Sequence, residues 1–219
     1  MGTCKSTDLD RILRTGIVAV IRSTDGDVLV DVAEALVAGG VDAVEITFTV
    51  PKPHQVLERV CDRLGDRAVV GAGTVLDTET ARIAILAGAQ FVVTPVVSIG
   101  VIELCRRYGK PIFSGAFTPT EVLAAWQAGA DVVKVFPAEI GGPAHLRALR
   151  GPLPQVRLLP TGGVTLSTAA DFLQAGACAL GVGGSLVEAK AIADRDFERI
   201  SSLARQFTEI VRMVRNPKA

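Results

Sequence analysis

The chain has 219 residues, one large domain or two small ones, and with 49% hydrophobic and 21% charged residues it has material for a sizeable core and too little charge for disorder. Its 23 Lys and Arg offset its 23 Asp and Glu with no block of like charge, which excludes the electrostatic footprint of a nucleic-acid binder and leaves small neutral or anionic molecules as partners. A mean hydropathy of +0.40 raises the question of a membrane, but the uncharged stretch from Ile83 to Ile102 is broken by Gly88, Gln90, Thr94, Pro95, Ser98 and Gly100 and reads as strand and turn.

At the start of the chain, Lys5, Asp8, Asp10 and Arg11 replace the apolar region of a secretory signal. Met1-Gly2-Thr3-Cys4-Lys5-Ser6 fits the loose N-myristoylation pattern, which is short enough to arise often by chance. Leu9, Ile12 and Leu13 then predict a short amphipathic helix over the floor of whatever follows. From there β-branched apolar runs alternate eight times with amphipathic stretches of about ten residues. The runs begin near Ile17, Ala43, Ala68, Phe91, Pro111, Val132, Arg157 and Ala179. Strand-helix alternation predicts parallel strands, and near-continuous runs such as Val132 to Phe136 predict strands buried on both faces.

Four predicted helices end in the same small-residue signal before a strand: Ala38-Gly39-Gly40, Ala87-Gly88-Ala89, Ala128-Gly129-Ala130 and Ala175-Gly176-Ala177. Glycine there is a helix C-cap. Eight near-equal units without a linker favour one closed (β/α)8 TIM barrel over residues 1–219, with the short helix at its N-terminus. The alternative, an open Rossmann or flavodoxin-like sheet, lacks its glycine fingerprint, since Val20-Ile21-Arg22-Ser23-Thr24-Asp25 follows the first strand. A last stripe of Ile200, Leu203, Phe207, Ile210, Val211 and Val214 closes the outer ring. Cys4, Cys61, Cys105 and Cys178 lie far apart, as reduced cytoplasmic thiols do. His54 and His145 are too few for a histidine-rich metal site.

Two residues break the strand pattern at the same place in the repeat. Aligning Asp42-Ala43-Val44-Glu45 with Asp131-Val132-Val133-Lys134 places an acid and an amine in equivalent registers on strands two and six, where inward side chains of alternate strands share a layer. Burying either charge unpaired costs several kcal/mol. A structural ion pair is the plain alternative. A desolvated lysine amine can attack a ketone to form an imine, and a neighbouring carboxylate can carry the protons that follow. After strands seven and eight come Pro160-Thr161-Gly162-Gly163-Val164 and Gly181-Val182-Gly183-Gly184-Ser185. Read as loops that open helices, they offer backbone N–H groups to a phosphate; read plainly, they are tight turns. Gly71-Ala72-Gly73-Thr74 ends strand three in a similar way and offers donors to a carboxylate.

Together the residues resemble the class I 2-keto-3-deoxy-6-phosphogluconate (KDPG) and 2-keto-4-hydroxyglutarate (KHG) aldolases over nearly the whole chain. The resemblance rests on Val44-Glu45-Ile46-Thr47, Gly71-Ala72-Gly73-Thr74-Val75, Thr94-Pro95, Lys134-Val135-Phe136-Pro137-Ala138-Glu139, Pro160-Thr161-Gly162-Gly163 and Gly183-Gly184-Ser185, in that order. It implies Lys134 as the Schiff-base lysine and Glu45 as the proton shuttle. Thr74, Thr94, Pro95, Phe136 and Thr161 would line the substrate site, with Thr74 on the pyruvate part, and Gly162, Gly163, Gly183, Gly184 and Ser185 would hold the phosphate. It implies a homotrimer that needs no metal or organic cofactor, in the cytoplasm that the scattered cysteines suggest. One departure is Thr49, where many members carry arginine. Arg22, at the end of strand one, is the nearest cation the sequence offers a substrate carboxylate, unless it is a solvated rim residue.

The implied reaction is reversible cleavage of KDPG to pyruvate and glyceraldehyde 3-phosphate. The galactonate epimer and KHG are the alternatives within the class. A barrel that binds a phosphorylated metabolite without catalysis is the alternative outside it.

Overall fold

The computed structural model describes residues 5–216, so Cys4 and the start of the myristoylation pattern at Met1 lie outside the described residues. After α1 (Lys5–Thr15), eight strands alternate with helices: β1 (Ile17–Ile21), α2 (Leu29–Ala38), β2 (Ala43–Thr47), α3 (Pro53–Leu64), β3 (Val69–Gly73), α4 (Thr78–Leu86), β4 (Phe91–Val93), α5 (Ile99–Arg107), β5 (Ile112–Ala116), α6 (Pro119–Ala128), β6 (Val132–Val135), α7 (Gly142–Arg150), β7 (Leu158–Pro160), α8 (Ala169–Gln174), β8 (Leu180–Val182), α9 (Ala189–Ala193) and α10 (Phe197–Arg215). The strands are parallel in the order β7-β6-β5-β4-β3-β2-β1-β8. The ring closes between β7 and β8, where the Cys178 N–H donates to the Leu158 carbonyl at 2.9 Å and Thr161 bridges Gly181. This is a (β/α)8 barrel, and the open-sheet alternative falls with the closure.

Two expectations need correction. The helices are not uniformly about ten residues long, because α8 has 6, α9 has 5 and α10 has 19. The stretch from Ile83 to Ile102 is not strand and turn throughout: its ends belong to α4 and α5, with β4 between them. Lack of charge reflects burial there, and burial is common to both kinds of element. Among the described residues no helix is long and apolar enough to cross a membrane.

Strand alternation divides the core in two. Val18, Ala43, Val69, Phe91, Phe113, Val132, Leu159 and Ala179 point into the ring and meet Leu9 and Ile12 of α1 from below. Intervening residues such as Ile17, Ala19, Val44, Ile46, Val70 and Val133 pack against the helices. Phe91 and Phe113 fill the centre with ring centroids 5.4 Å apart. They fit because Gly71 has no side chain: a Cβ there would lie 2.5 Å from the Phe91 ring.

Helix α1 is pinned to the floor by charge as well. Arg11 Nε lies 2.6 Å from Asp42 Oδ2, and Lys5 Nζ lies 2.9 Å from Asp131 Oδ1. Those aspartates head the two aligned quartets, so the repeat that sets the register of Glu45 and Lys134 also anchors the plug beneath them. The glycine signals cap helices with left-handed backbone at Gly88, Gly129 and Gly176. In the first copy Gly40, not Gly39, takes that conformation, at φ +89°. Gly39 serves α10 instead, because a Cβ there would lie 2.4 Å from that of Ala204.

Candidate active site

Two residues above Ala43 and Val132 of the inner core, the same alternation turns Glu45 and Lys134 into the barrel at its C-terminal end. Both are buried, and Lys134 Nζ stands 3.8 Å from Glu45 Oε1. That is an ion-pair approach but longer than a hydrogen bond. Oε1 has no hydrogen-bond partner among the described residues. Burial pushes the Glu45 carboxyl above the usual carboxylate range, while the charge of Lys134, and then that of Arg22, pulls it back. A group in this state holds a proton more readily than a solvated glutamate and is poised to exchange one.

Glycines clear the space around the pair. A Cβ on Gly73, at the end of β3, would fall 1.8 Å from Glu45 Oε1, and one on Gly115 of β5 would fall 2.3 Å from the Pro95 carbonyl oxygen. Thr94 fixes that Pro95 turn over β5: its hydroxyl donates to the Val96 carbonyl at 2.7 Å and accepts from the Gly115 N–H at 3.2 Å. Thr94 is therefore a brace whose proton is already committed. Thr74 adopts φ +56°, a left-handed conformation costing a non-glycine residue about 1–2 kcal/mol. Strain of this kind collects at functional sites. Phe136, partly exposed, places its ring centroid 5.4 Å from Lys134 Nζ, within cation–π reach.

Thr161 sits in the seam where the ring closes. Its buried hydroxyl has no hydrogen-bond partner among the described residues, and it fits only because position 181 is glycine, where a Cβ would lie 2.1 Å from Thr161 Oγ1. The loops beyond it differ from the expectation. Neither opens a helix directly, since α8 starts at Ala169 and α9 at Ala189. Gly162 and Gly163 turn with φ +92° and +69°, and Gly183 accepts from the N–H groups of Leu186 and Val187 at 2.9 Å each. Sequence spacing marks the glycines but not how many residues separate them from the helix. The Ser185 hydroxyl donates to the Val164 carbonyl and ties the two loops together, so donors toward an anion would be backbone N–H groups of turns. Gly184 faces open space.

Arg22 directly follows β1 and is exposed. Thr49 turns away from any ionic role: its hydroxyl lies 3.1 Å from that of Thr47, which donates to the Ile21 carbonyl at 3.1 Å. Sequence reasoning read Gly73 as part of a donor loop, whereas its position beside Glu45 is a steric requirement. Gly115 gave no signal, because only the register of β5 against the β4 turn reveals it. Burial holds the thiols of Cys61 and Cys105 up at about 12 and that of Cys178 at about 11, which makes them inert. Among the described residues no group of three or more His, Cys, Asp or Glu side chains could hold a metal ion.

A (β/α)8 barrel with a buried lysine amine beside a carboxylate at the C-terminal ends of its strands has the equipment of a class I aldolase, an aldehyde-lyase that works through a lysine imine. The chain belongs to the KDPG and KHG aldolase family, whose model matches residues 9–203. It is 38% identical over 205 residues to the 2-dehydro-3-deoxy-phosphogluconate aldolase of Treponema pallidum (strain Nichols), covering 93% of this chain and 95% of that protein. It is 32% identical over 196 residues to the 2-dehydro-3-deoxy-6-phosphogalactonate aldolase of Escherichia coli (strain K12), covering 89% and 96%. Among solved structures it resembles the KDPG aldolase of Legionella pneumophila with pyruvate captured as a covalent carbinolamine intermediate, with a TM-score of 0.82, 28% identity and coverage of 87% and 92%.

Proposed function

We propose that the protein reversibly cleaves 2-keto-3-deoxy-6-phosphogluconate to pyruvate and glyceraldehyde 3-phosphate, with Lys134 as the imine-forming amine and Glu45 as the proton carrier. The observation that carries this reading is the 3.8 Å gap between Lys134 Nζ and Glu45 Oε1, with that oxygen unbonded. The Lys134 amine attacks the C2 ketone, and the carbinolamine loses water to become an imine. Glu45 takes the proton of the C4 hydroxyl as the C3–C4 bond breaks, releasing the aldehyde and leaving an enamine. The enamine takes a proton at C3, and water returns the imine to pyruvate and free amine. The imine is the electron sink, so no metal or organic cofactor enters the sequence of steps.

On this reading Arg22 and Thr74 hold the carboxylate of the pyruvate half, Phe136 and Pro95 flank the imine, and Thr161 meets a hydroxyl of the sugar chain. Backbone N–H groups of Gly162, Gly163, Gly183, Gly184 and Ser185 hold the phosphate. The deciding experiment is pyruvate release from KDPG, its galactonate epimer and KHG under one set of conditions. Preference for KDPG supports the proposal; preference for the epimer or for KHG replaces it, and no release from any of the three removes the aldolase assignment.

The protein works as a cytoplasmic homotrimer on the same reading. Leu76, Ile83, Leu86, Val96 and Ile99 are each 46–69% exposed around α4 and the start of α5, an apolar surface suited to a second copy of the chain. Light scattering of the purified protein tests this, with Leu86→Glu expected to lower the mass.

A further inference from the structure

A cleft of about 600 Å³ opens at the C-terminal face between the loop after β1, the loop after β2 and α9. Arg22, Thr49 and Arg195 line it, with Asp25 as the sole carboxylate among its lining residues and an apolar wall that includes Ile192. Among the described residues neither the Arg22 nor the Arg195 side chain has a hydrogen-bond or ion-pair partner.

The acids next to Arg195 in the chain and those of the loop after β1 are engaged elsewhere. Asp194 pairs with Lys190 at 2.5 Å, Asp196 caps α10 by accepting the Arg199 N–H at 2.9 Å, and Asp27 pairs with Arg59 at 2.6 Å. Asp25 accepts the Asp27 N–H at 2.9 Å. Arg195 also holds φ +53° one residue beyond the C-cap of α9, a left-handed position that glycine fills without strain. An arginine held there against its backbone preference, lining one cleft with a second unpaired arginine, leaves two guanidinium groups free to take an anion.

We infer that this cleft is an oxyanion subsite, separate from the glycine loops after β7 and β8, in which Arg22 and Arg195 hold a carboxylate or phosphate group of a small acid. Arg22 also bears on Glu45 through its charge, so filling the cleft is coupled to the catalytic mouth. The inference deepens the aldolase reading, but its first measurement is independent of turnover. The oxyanion is either the carboxylate of the keto-acid substrate or a group on a second metabolite.

The test is calorimetric titration of the full chain with inorganic sulfate, comparing wild type with Arg195→Gly, Arg195→Lys and Gly184→Asp. Glycine suits the left-handed backbone, so Arg195→Gly keeps or raises Tm while sulfate binding weakens about fivefold or more; Arg195→Lys keeps the charge, loses the two-pronged hydrogen bond and falls between. Gly184→Asp leaves this binding in place, which separates the cleft from the glycine loops. A KM for the keto acid that rises in Arg195→Gly assigns the oxyanion to the substrate, and an unchanged KM beside lost sulfate binding assigns it to a second metabolite. Identical sulfate isotherms for wild type and Arg195→Gly, or no binding by wild type, overturn the subsite. Borohydride trapping of pyruvate at Lys134, run alongside, reports on the aldolase reading alone.

Discussion

The carboxylate of Glu45 occupies the space in which any residue other than glycine at position 73 would place its side chain: a Cβ there would lie 1.8 Å from Oε1. Glu45 and Gly73 come from neighbouring strands, where Thr47 of β2 is in register with Gly73 of β3. The approach of Glu45 to Lys134 is thereby set by the absence of atoms on one strand as much as by the acid on the other.

Gly73→Ala should therefore push Glu45 off Lys134 while leaving the barrel folded. Turnover is expected to fall about 100-fold or more, the typical worth of a positioned acid–base group. Steady-state kinetics with circular dichroism as the folding control checks it. A variant that turns over like the parent would show that the present position of Glu45 is not needed.

Reduction with borohydride in the presence of pyruvate should inactivate the enzyme and add a pyruvate-derived mass to Lys134. Peptide mass spectrometry reads the site. Label on another lysine would end the assignment of Lys134.

The raised proton affinity of Glu45 fixes the sign of a pH effect. On the proposed mechanism its carboxylate form accepts the hydroxyl proton, so activity should fall with acid through a limb above about 4.5, the ordinary value for glutamate. Arg22 pulls that value down, so in Arg22→Ala the limb should move to higher pH. Glu45→Gln should abolish the limb and lower turnover about 100-fold or more. A limb that stays put in Arg22→Ala would separate the arginine from Glu45.

At the other end of the mouth, the Ser185 hydroxyl joins the loops after β7 and β8 through the Val164 carbonyl. Ser185→Ala should loosen that joint and raise KM for a phosphorylated substrate, and Gly184→Asp should raise it further by placing a like charge beside the phosphate. Inorganic phosphate should compete with the substrate in wild type. Absence of competition would return both loops to the status of turns.

Away from the site, Arg63 and Arg67 hold the Glu34 carboxyl down at about 2, from 4.5, and tie α2 to the end of α3. A lowered carboxyl contributes stability that is fully present above about pH 4.5 and is lost as pH falls through about 2. Urea titrations of wild type and Glu34→Gln should thus differ at pH 6 and converge near pH 2. A difference that persists at pH 2 would assign the effect to packing.

Much of this architecture is written in local patterns. Each strand begins within one residue of where the apolar runs begin, because a strand buried on both faces must be apolar at nearly every position. The equivalence of Glu45 and Lys134 is legible for the same reason: side chains alternate with period two, so a shared offset within two aligned strands means a shared face. Once the barrel is inferred, the shared cavity follows.

What the sequence by itself determined is the number of strands, their order, the inward acid and amine, and the glycines that mark the loops. Tertiary structure alone decided the 3.8 Å spacing of Lys134 and Glu45, the clearance that Gly73 and Gly115 provide, the commitment of the Thr94 and Ser185 hydroxyls, and the place of Arg22 and Arg195 on one cleft. The division has a physical cause. Periodicity and propensity act between residues a few positions apart, whereas a steric clearance or a shared hydrogen bond depends on which strands and loops become neighbours when the ring closes. Residues 22 and 195 face one cleft only because β8 pairs with β1.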